Sequence, residues 1–157
     1  MLSALLMAAS LVFPDLHACD LNGHKHETDS LQGKPAVVLA GFTYESRLDM
    51  GAWVKAIDGF DPSIRLIEMP VYSGVAVLLR SLIDAGMAQH TPADQRSHVW
   101  TTTDRDKLVK ALNIDQPDAS VALFVLDRNE KVVYMARGGP DPSKIRSCQE
   151  TIGTLLK

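Results

Sequence analysis

Gly33-Lys34-Pro35-Ala36-Val37-Val38-Leu39-Ala40-Gly41-Phe42-Thr43-Tyr44-Glu45-Ser46-Arg47-Leu48-Asp49 sets a turn, a strand, a loop and the start of a helix in one line. Val37 to Gly41 is apolar without alternation and carries β-branched residues, the pattern of a strand covered on both faces. Ser46-Arg47-Leu48-Asp49 then fits a capping box, in which the Ser46 oxygen would accept a hydrogen bond from the Asp49 backbone N–H. Leu48, Ala52, Trp53, Ala56 and Ile57 follow at helical spacing, and Gly59 closes that helix.

The flanking segments continue the alternation. Phe13 to Gly23 reads as a first strand entering an Asn22-Gly23 hairpin turn. Ile64 to Met69 is a further strand, and Val75, Leu78, Leu79, Leu82 and Ile83 form the apolar stripe of an amphipathic helix that Gly86 stops. His98 to Thr102 is a short strand, and Thr103-Asp104-Arg105-Asp106 caps a helix carrying Leu108, Ala111 and Leu112. Ala119 to Leu126 and Lys131 to Ala136 flank an Asp127–Glu130 turn, and Asp141-Pro142-Ser143 opens a last helix with proline at its favoured first position. The order predicts an α/β protein, a three-layer α/β/α sandwich whose mixed central sheet ends in a β-hairpin and a C-terminal helix.

At 157 residues, with 46% hydrophobic and 22% charged residues, the chain fits one soluble domain. A net charge of -3 without a basic face argues against nucleic acid as a partner. The domain is expected over 13–157. The apolar segment 1–12 reads as an export signal lacking its first residues, or as a helix lying on the domain or on a membrane. It has no basic leader and falls short of the about 20 apolar residues that span a bilayer. An export signal favours the periplasm or a membrane-associated place; otherwise the chain is expected in the cytoplasm.

The two cysteines, Cys19 and Cys148, have neither C-x-x-C nor zinc-ligand spacing. Cys148 shares a helical face with Ile145, Ile152 and Leu155 and reads as a small core hydrophobe; Cys19 also reads as a structural thiol directed into the core. His17, Cys19, His24 and His26 surround the first hairpin and are the candidate zinc or copper ligands. The hairpin is solvated, so metal binding is the lesser reading, and no cofactor is expected. Glu45 and Asp49 sit where the helix dipole favours negative charge, which makes them capping groups before they are an acid–base pair. Tyr44 and Arg47 are residue types favoured at interfaces; Trp53 fits the core stripe. Arg80, Arg96, His98 and Arg105 read as separate solvated charges rather than one basic patch.

Gly33-Lys34-Pro35, the buried strand and Phe124-Val125-Leu126-Asp127-Arg128-Asn129-Glu130-Lys131-Val132-Val133-Tyr134 together resemble the redoxin branch of the thioredoxin superfamily. That branch holds peroxiredoxins, TlpA-like periplasmic reductases and Sco copper chaperones. Gly41-Phe42-Thr43-Tyr44 is similar to the phrase before the metal-binding C-x-x-x-C of Sco proteins, whose ligands would fall on Glu45 and Asp49. Those are hard oxygen donors, wrong for Cu(I). The C-x-x-C of a TlpA-like reductase would fall on Glu45 and Leu48, with Ser46 between them, and neither can exchange with a disulfide. The cis-proline that accompanies the thiols in active relatives has its slot near Val121, where an ordinary trans peptide is expected. The resemblance therefore implies a retired active site at Glu45, Ser46, Leu48 and Asp49.

Arg65-Leu66-Ile67-Glu68-Met69-Pro70-Val71, the Leu78–Leu82 helix, Met87, Thr91-Pro92, Arg96-Ser97-His98 and Gly138-Gly139 resemble one degenerate branch, the mitochondrial ATP-synthase assembly factors and their bacterial relatives. That likeness implies a redox-inactive assembly or chaperone-type accessory protein whose partner is a protein, in a membrane complex of respiratory or ATP-synthase type; if the old active-site mouth binds that partner, Tyr44 and Arg47 at its rim are the contact residues. Two other readings stand beside it: a thiol-disulfide oxidoreductase or peroxiredoxin-like enzyme using Cys19 or Cys148, and a metal-binding module on the His17–His26 cluster.

Overall fold

The computed structural model describes residues 11–157; the expected leader therefore lies, except for Leu11 and Val12, outside the described residues. Leu11 packs on the core, and its carbonyl accepts from the Val132 N–H at 2.9 Å. Strands β1 (His17–Asp20) and β2 (Lys25–Glu27) form the expected hairpin, turning at Gly23 with φ +85°. Strand β3 (Ala36–Gly41) is followed by helix α1 (Ser46–Ile57), strand β4 (Arg65–Pro70) and helices α2 (Val75–Leu78) and α3 (Arg80–Gln89). Strand β5 (Trp100–Thr101), helix α4 (Arg105–Ala111), hairpin β6 (Ala122–Leu126) and β7 (Val132–Arg137), and helix α5 (Pro142–Leu155) complete the chain.

The main sheet has the order β4-β3-β6-β7, with β3 parallel to β4 and antiparallel to β6. A second sheet, β2-β1-β5, is antiparallel throughout. Parallel bridges Glu68↔Val99 and Val71↔Thr102 join β5 to the outer edge of β4, so the two sheets run into one another. Every residue of β3 and β6 is buried, as their unbroken apolar sequences require.

Alternate residues of β3 feed two cores. Val37 and Leu39 meet Met50, Trp53 and Ile57 of α1 and Cys148 and Ile152 of α5. Val38 and Ala40 meet Phe13, Leu16, Phe124 and, from α4 and the residue that follows it, Leu108 and Leu112. Helices on both faces of a mixed sheet make the three-layer sandwich that the sequence predicts. Phe13 and Phe124 pack edge to face, centroids 5.9 Å apart, an arrangement worth about 1 kcal/mol beyond area burial. Asp141 caps α5 by accepting from the Lys144 N–H at 2.8 Å, with Pro142 at the first helical position.

Two local expectations fail. The helix expected from Val75 is broken at Leu79 (φ -99°, ψ 10°) into α2 and α3, and it runs past Gly86 to Gln89. Its apolar stripe also faces outward: Val75 is 69%, Leu78 85% and Leu82 71% exposed. Asp104 does not cap α4 with its side chain; its carboxylate instead accepts the His17 N–H at 2.8 Å, pinning β1 to the loop before α4.

Candidate functional site

The first turn of α1 lies directly on the end of β3 because residue 41 is glycine. A Cβ there would sit 2.5 Å from Met50 Sδ and 3.0 Å from Ser46 Cβ. The capping box does not form. Glu45 precedes α1 with helical angles (φ -65°, ψ -25°), so Ser46 is already inside the helix and its oxygen is turned back to the loop. The Thr43 N–H donates to Ser46 Oγ at 3.3 Å, and the two hydroxyls lie 3.0 Å apart. The Asp49 carboxylate packs on Gly139, where a Cβ would lie 2.7 Å from Oδ1. Trp53, fully buried, donates its indole N–H to the Gly138 carbonyl at 2.9 Å. The α1 face and the β7–α5 turn are thereby locked together, and Trp53 is a core residue. The Val121 peptide is trans, as is every peptide bond among the described residues.

Beside this helix start lies an open cleft of about 920 Å³. One wall is the β3–α1 loop and first turns of α1, with Phe42, Tyr44, Arg47 and Met50. The floor is the end of β4 and the residues after it, with Glu68, Pro70, Val71, Tyr72 and Ser73, and the far wall is α2–α3 and the loop after it, with Ala76, Ile83, Met87 and His90. Tyr44 and Arg47 therefore do rim a cavity. Glu45, Ser46, Leu48 and Asp49 are not among its lining residues: Glu45 and Leu48 are exposed, Ser46 is buried and Asp49 is half-buried.

The Arg47 guanidinium stacks over the Tyr44 ring, 3.9 Å from its centroid, and donates to the Tyr44 carbonyl at 3.3 Å. At this exposed position the stacking contributes about 0.5–1 kcal/mol. Between floor and far wall, Tyr72 donates to Asp84 Oδ1 at 2.7 Å, and Thr101 donates to Asp84 Oδ2 at 2.9 Å. Arg80 lies 3.7 Å from the same carboxylate and donates to the Thr101 carbonyl. Burial, then the bond to Asp84, pushes the Tyr72 phenol far above its usual range. This network ties α3 to β5 and holds the cleft open between two anchored walls.

Glu68 is the residue that the sequence reading passed over. It is half-buried on the cleft floor, burial alone raises its carboxyl above the usual range, and no hydrogen bond or ion pair reaches its carboxylate among the described residues. A single charge inside the apolar run Leu66-Ile67-Glu68-Met69 was the available signal.

The other candidates are placed elsewhere. Cys148 is fully buried on α5, where desolvation pushes its thiol up to about 11. Cys19 is not directed into the core as expected: Ala18 and Asp20 are the buried residues of β1, and Cys19 lies half-buried on the opposite face. It lines a second, smaller hollow with His17, Lys25, His26, Glu27 and Arg80, and both cysteines are free. His24 and His26 converge on the buried Asp20, at 3.5 and 2.8 Å, and His26 stacks on Trp100 with ring centroids 4.3 Å apart. His17 pairs with Glu27 at 3.3 Å. The His17, Cys19, His24 and His26 set is thus divided among different contacts. Among the described residues, the cluster that brings three ligand atoms within 4.8 Å of one another is instead Asp15, Glu27 and Asp29, all exposed. Arg80, Arg96 and Arg105 each bond to separate partners, Thr101, Thr91 and Asp118. No described helix is long and apolar enough to cross a membrane.

No family model and no curated protein matches the chain. Solved structures do. The thioredoxin domain of a thiol-disulfide oxidoreductase from Bacteroides vulgatus is 15% identical over 90% of this chain and 95% of its own, with a TM-score of 0.61. A thiol:disulfide interchange protein of the thioredoxin family from Chlorobium tepidum TLS is 16% identical over 94% of this chain and 97% of its own, with a TM-score of 0.58. At this identity the likeness establishes the architecture, and the architecture is thioredoxin-like.

Proposed function

We propose that this chain is a redox-inactive thioredoxin-fold protein that serves as an assembly or chaperone-type accessory factor, binding a protein partner in a membrane complex of respiratory or ATP-synthase type. The observation that carries this reading is a cleft beside the start of α1 that contains no sulfur nucleophile. By the resemblance to redox-active relatives, the exchanging thiols would fall on Glu45 and Leu48, and both cysteines of this chain lie outside the cleft lining. Disulfide exchange needs a thiolate that can reach its target. What remains is a binding surface: an exposed Tyr44–Arg47 stack at the mouth and, outside the cleft lining, the uncovered Leu78 and Leu82 side chains of α2 and α3.

The test is affinity capture from native membranes solubilised in mild detergent, comparing the wild-type chain with Tyr44→Ala/Arg47→Ala. The expected result is stoichiometric recovery of subunits of one membrane complex by the wild-type chain, with recovery lost in the double variant. Equal recovery by both proteins, or none by either, contradicts the reading.

A further inference from the structure

Resting on the partner-binding reading, we propose that the cleft takes a segment of a protein partner that presents one lysine or arginine among apolar residues, with Glu68 as its counter-charge.

The cleft is apolar on most of its surface, with Phe42, Met50, Val71, Ile83 and Met87 supplying its walls. Methionines on two facing elements, α1 and α3, give it walls that adapt to different side chains. Glu68 is the exception. A carboxylate taken partly out of water is costly unless something replaces the lost solvent, and no group of the described chain does so. Of the cationic and donor groups around the cleft, Arg47 is stacked on Tyr44 at the rim, the Tyr72 hydroxyl is given to Asp84, and His90 on the far wall makes no ion pair with Glu68. An acid left open in an apolar cavity complements a cation carried on an apolar body.

The surroundings favour a chain segment over a small amine. Ala76, Ile83 and Met87 line the interior from α2 and α3, while Val75, Leu78, Leu79 and Leu82 of the same helices are exposed outside it. Tyr44, 75% exposed, extends the apolar rim on the opposite side. A small amine would fill the floor and leave this surface in water. A peptide anchored at Glu68 would run over the rim and cover it.

The test uses two pools of short fluorescein-labelled peptides, apolar throughout except for a central lysine in one pool and norleucine in the other, titrated against the full chain and followed by anisotropy. The lysine pool is expected to bind about tenfold more tightly, the order expected for a charge-assisted bond in a desolvated site. Glu68→Gln should erase that difference without weakening the norleucine pool. Equal binding of the pools, no binding, or a preference that survives Glu68→Gln overturns the proposal, and the wild-type comparison stands even if the variant folds poorly. Dodecylamine that competes as tightly as the lysine pool overturns the peptide assignment. Failure of the redox-inactive reading looks different: disulfide turnover through a cysteine would appear while the lysine preference persisted.

Discussion

Glu130 occupies the last position of the β6–β7 turn with φ +62°, a left-handed conformation that an L side chain adopts at a cost of about 1–2 kcal/mol. Its side chain is 5% exposed, with Oε2 accepting from Gln32 at 3.1 Å and Oε1 buried without a partner. Glu130→Gly removes the backbone strain and the orphaned oxygen together, and should raise stability by about 1 kcal/mol, read as a higher urea midpoint. Asp20 makes the opposite case. Burial works to raise its pKa, but the hydrogen bonds from His26 and from the His24 and Asn22 N–H groups outweigh it and hold the carboxyl below the usual carboxylate range. A depressed folded pKa means stability that is fully present above the unfolded value and lost as pH falls through the folded one. Unfolding free energy should therefore drop below about pH 4, and Asp20→Asn, less stable at neutral pH, should show a shallower acid limb.

Helices α2 and α3 show what periodicity reads and what it does not. The spacing of Val75, Leu78, Leu79, Leu82 and Ile83 reads as one helical face, yet the first four are exposed while Ile83 lines the cleft, and nothing in a spacing says whether another element covers a face. In the fold the opposite side, with Ala76, Ile83 and Met87, turns toward the cleft, and the stronger stripe meets solvent. Because Leu78 and Leu82 are 85% and 71% exposed, Leu78→Ser/Leu82→Ser should change stability by no more than about 0.5 kcal/mol. The same variant should lose partner recovery in the membrane capture. A loss of stability of several kcal/mol in thermal unfolding would mean that the stripe is packed, and would remove it from the binding surface. The capping box failed for a related reason: Ser46 and Asp49 have the right separation, but the helix begins one residue earlier than that motif requires.

Across the molecule, the architecture was legible because it rests on features that sequence carries directly. The unbroken apolar runs of β3 and β6, the Asn22-Gly23 turn and the Asp141-Pro142 helix start each act locally, and together they dictate the layers. The site was legible only in part. Tyr44 and Arg47 follow at once from the β3–α1 loop, whereas Glu68 in isolation reads as an edge-strand charge. Only the closure of α3 over the end of β4 turns it into the floor of a cavity. Cys19 was misjudged by one step of strand alternation, which exchanges the core face for the outer one.

The thioredoxin-like scaffold and its cysteine-free cleft make one demand on chemistry, and disulfide turnover measures it directly. Insulin reduction with dithiothreitol as the electron source, followed for the wild-type chain and for Cys19→Ser, Cys148→Ser and the double variant, should give rates equal to the protein-free control in all four cases. A wild-type rate above that control, abolished by Cys19→Ser, would contradict the redox-inactive reading and return the chain to the thiol enzymes.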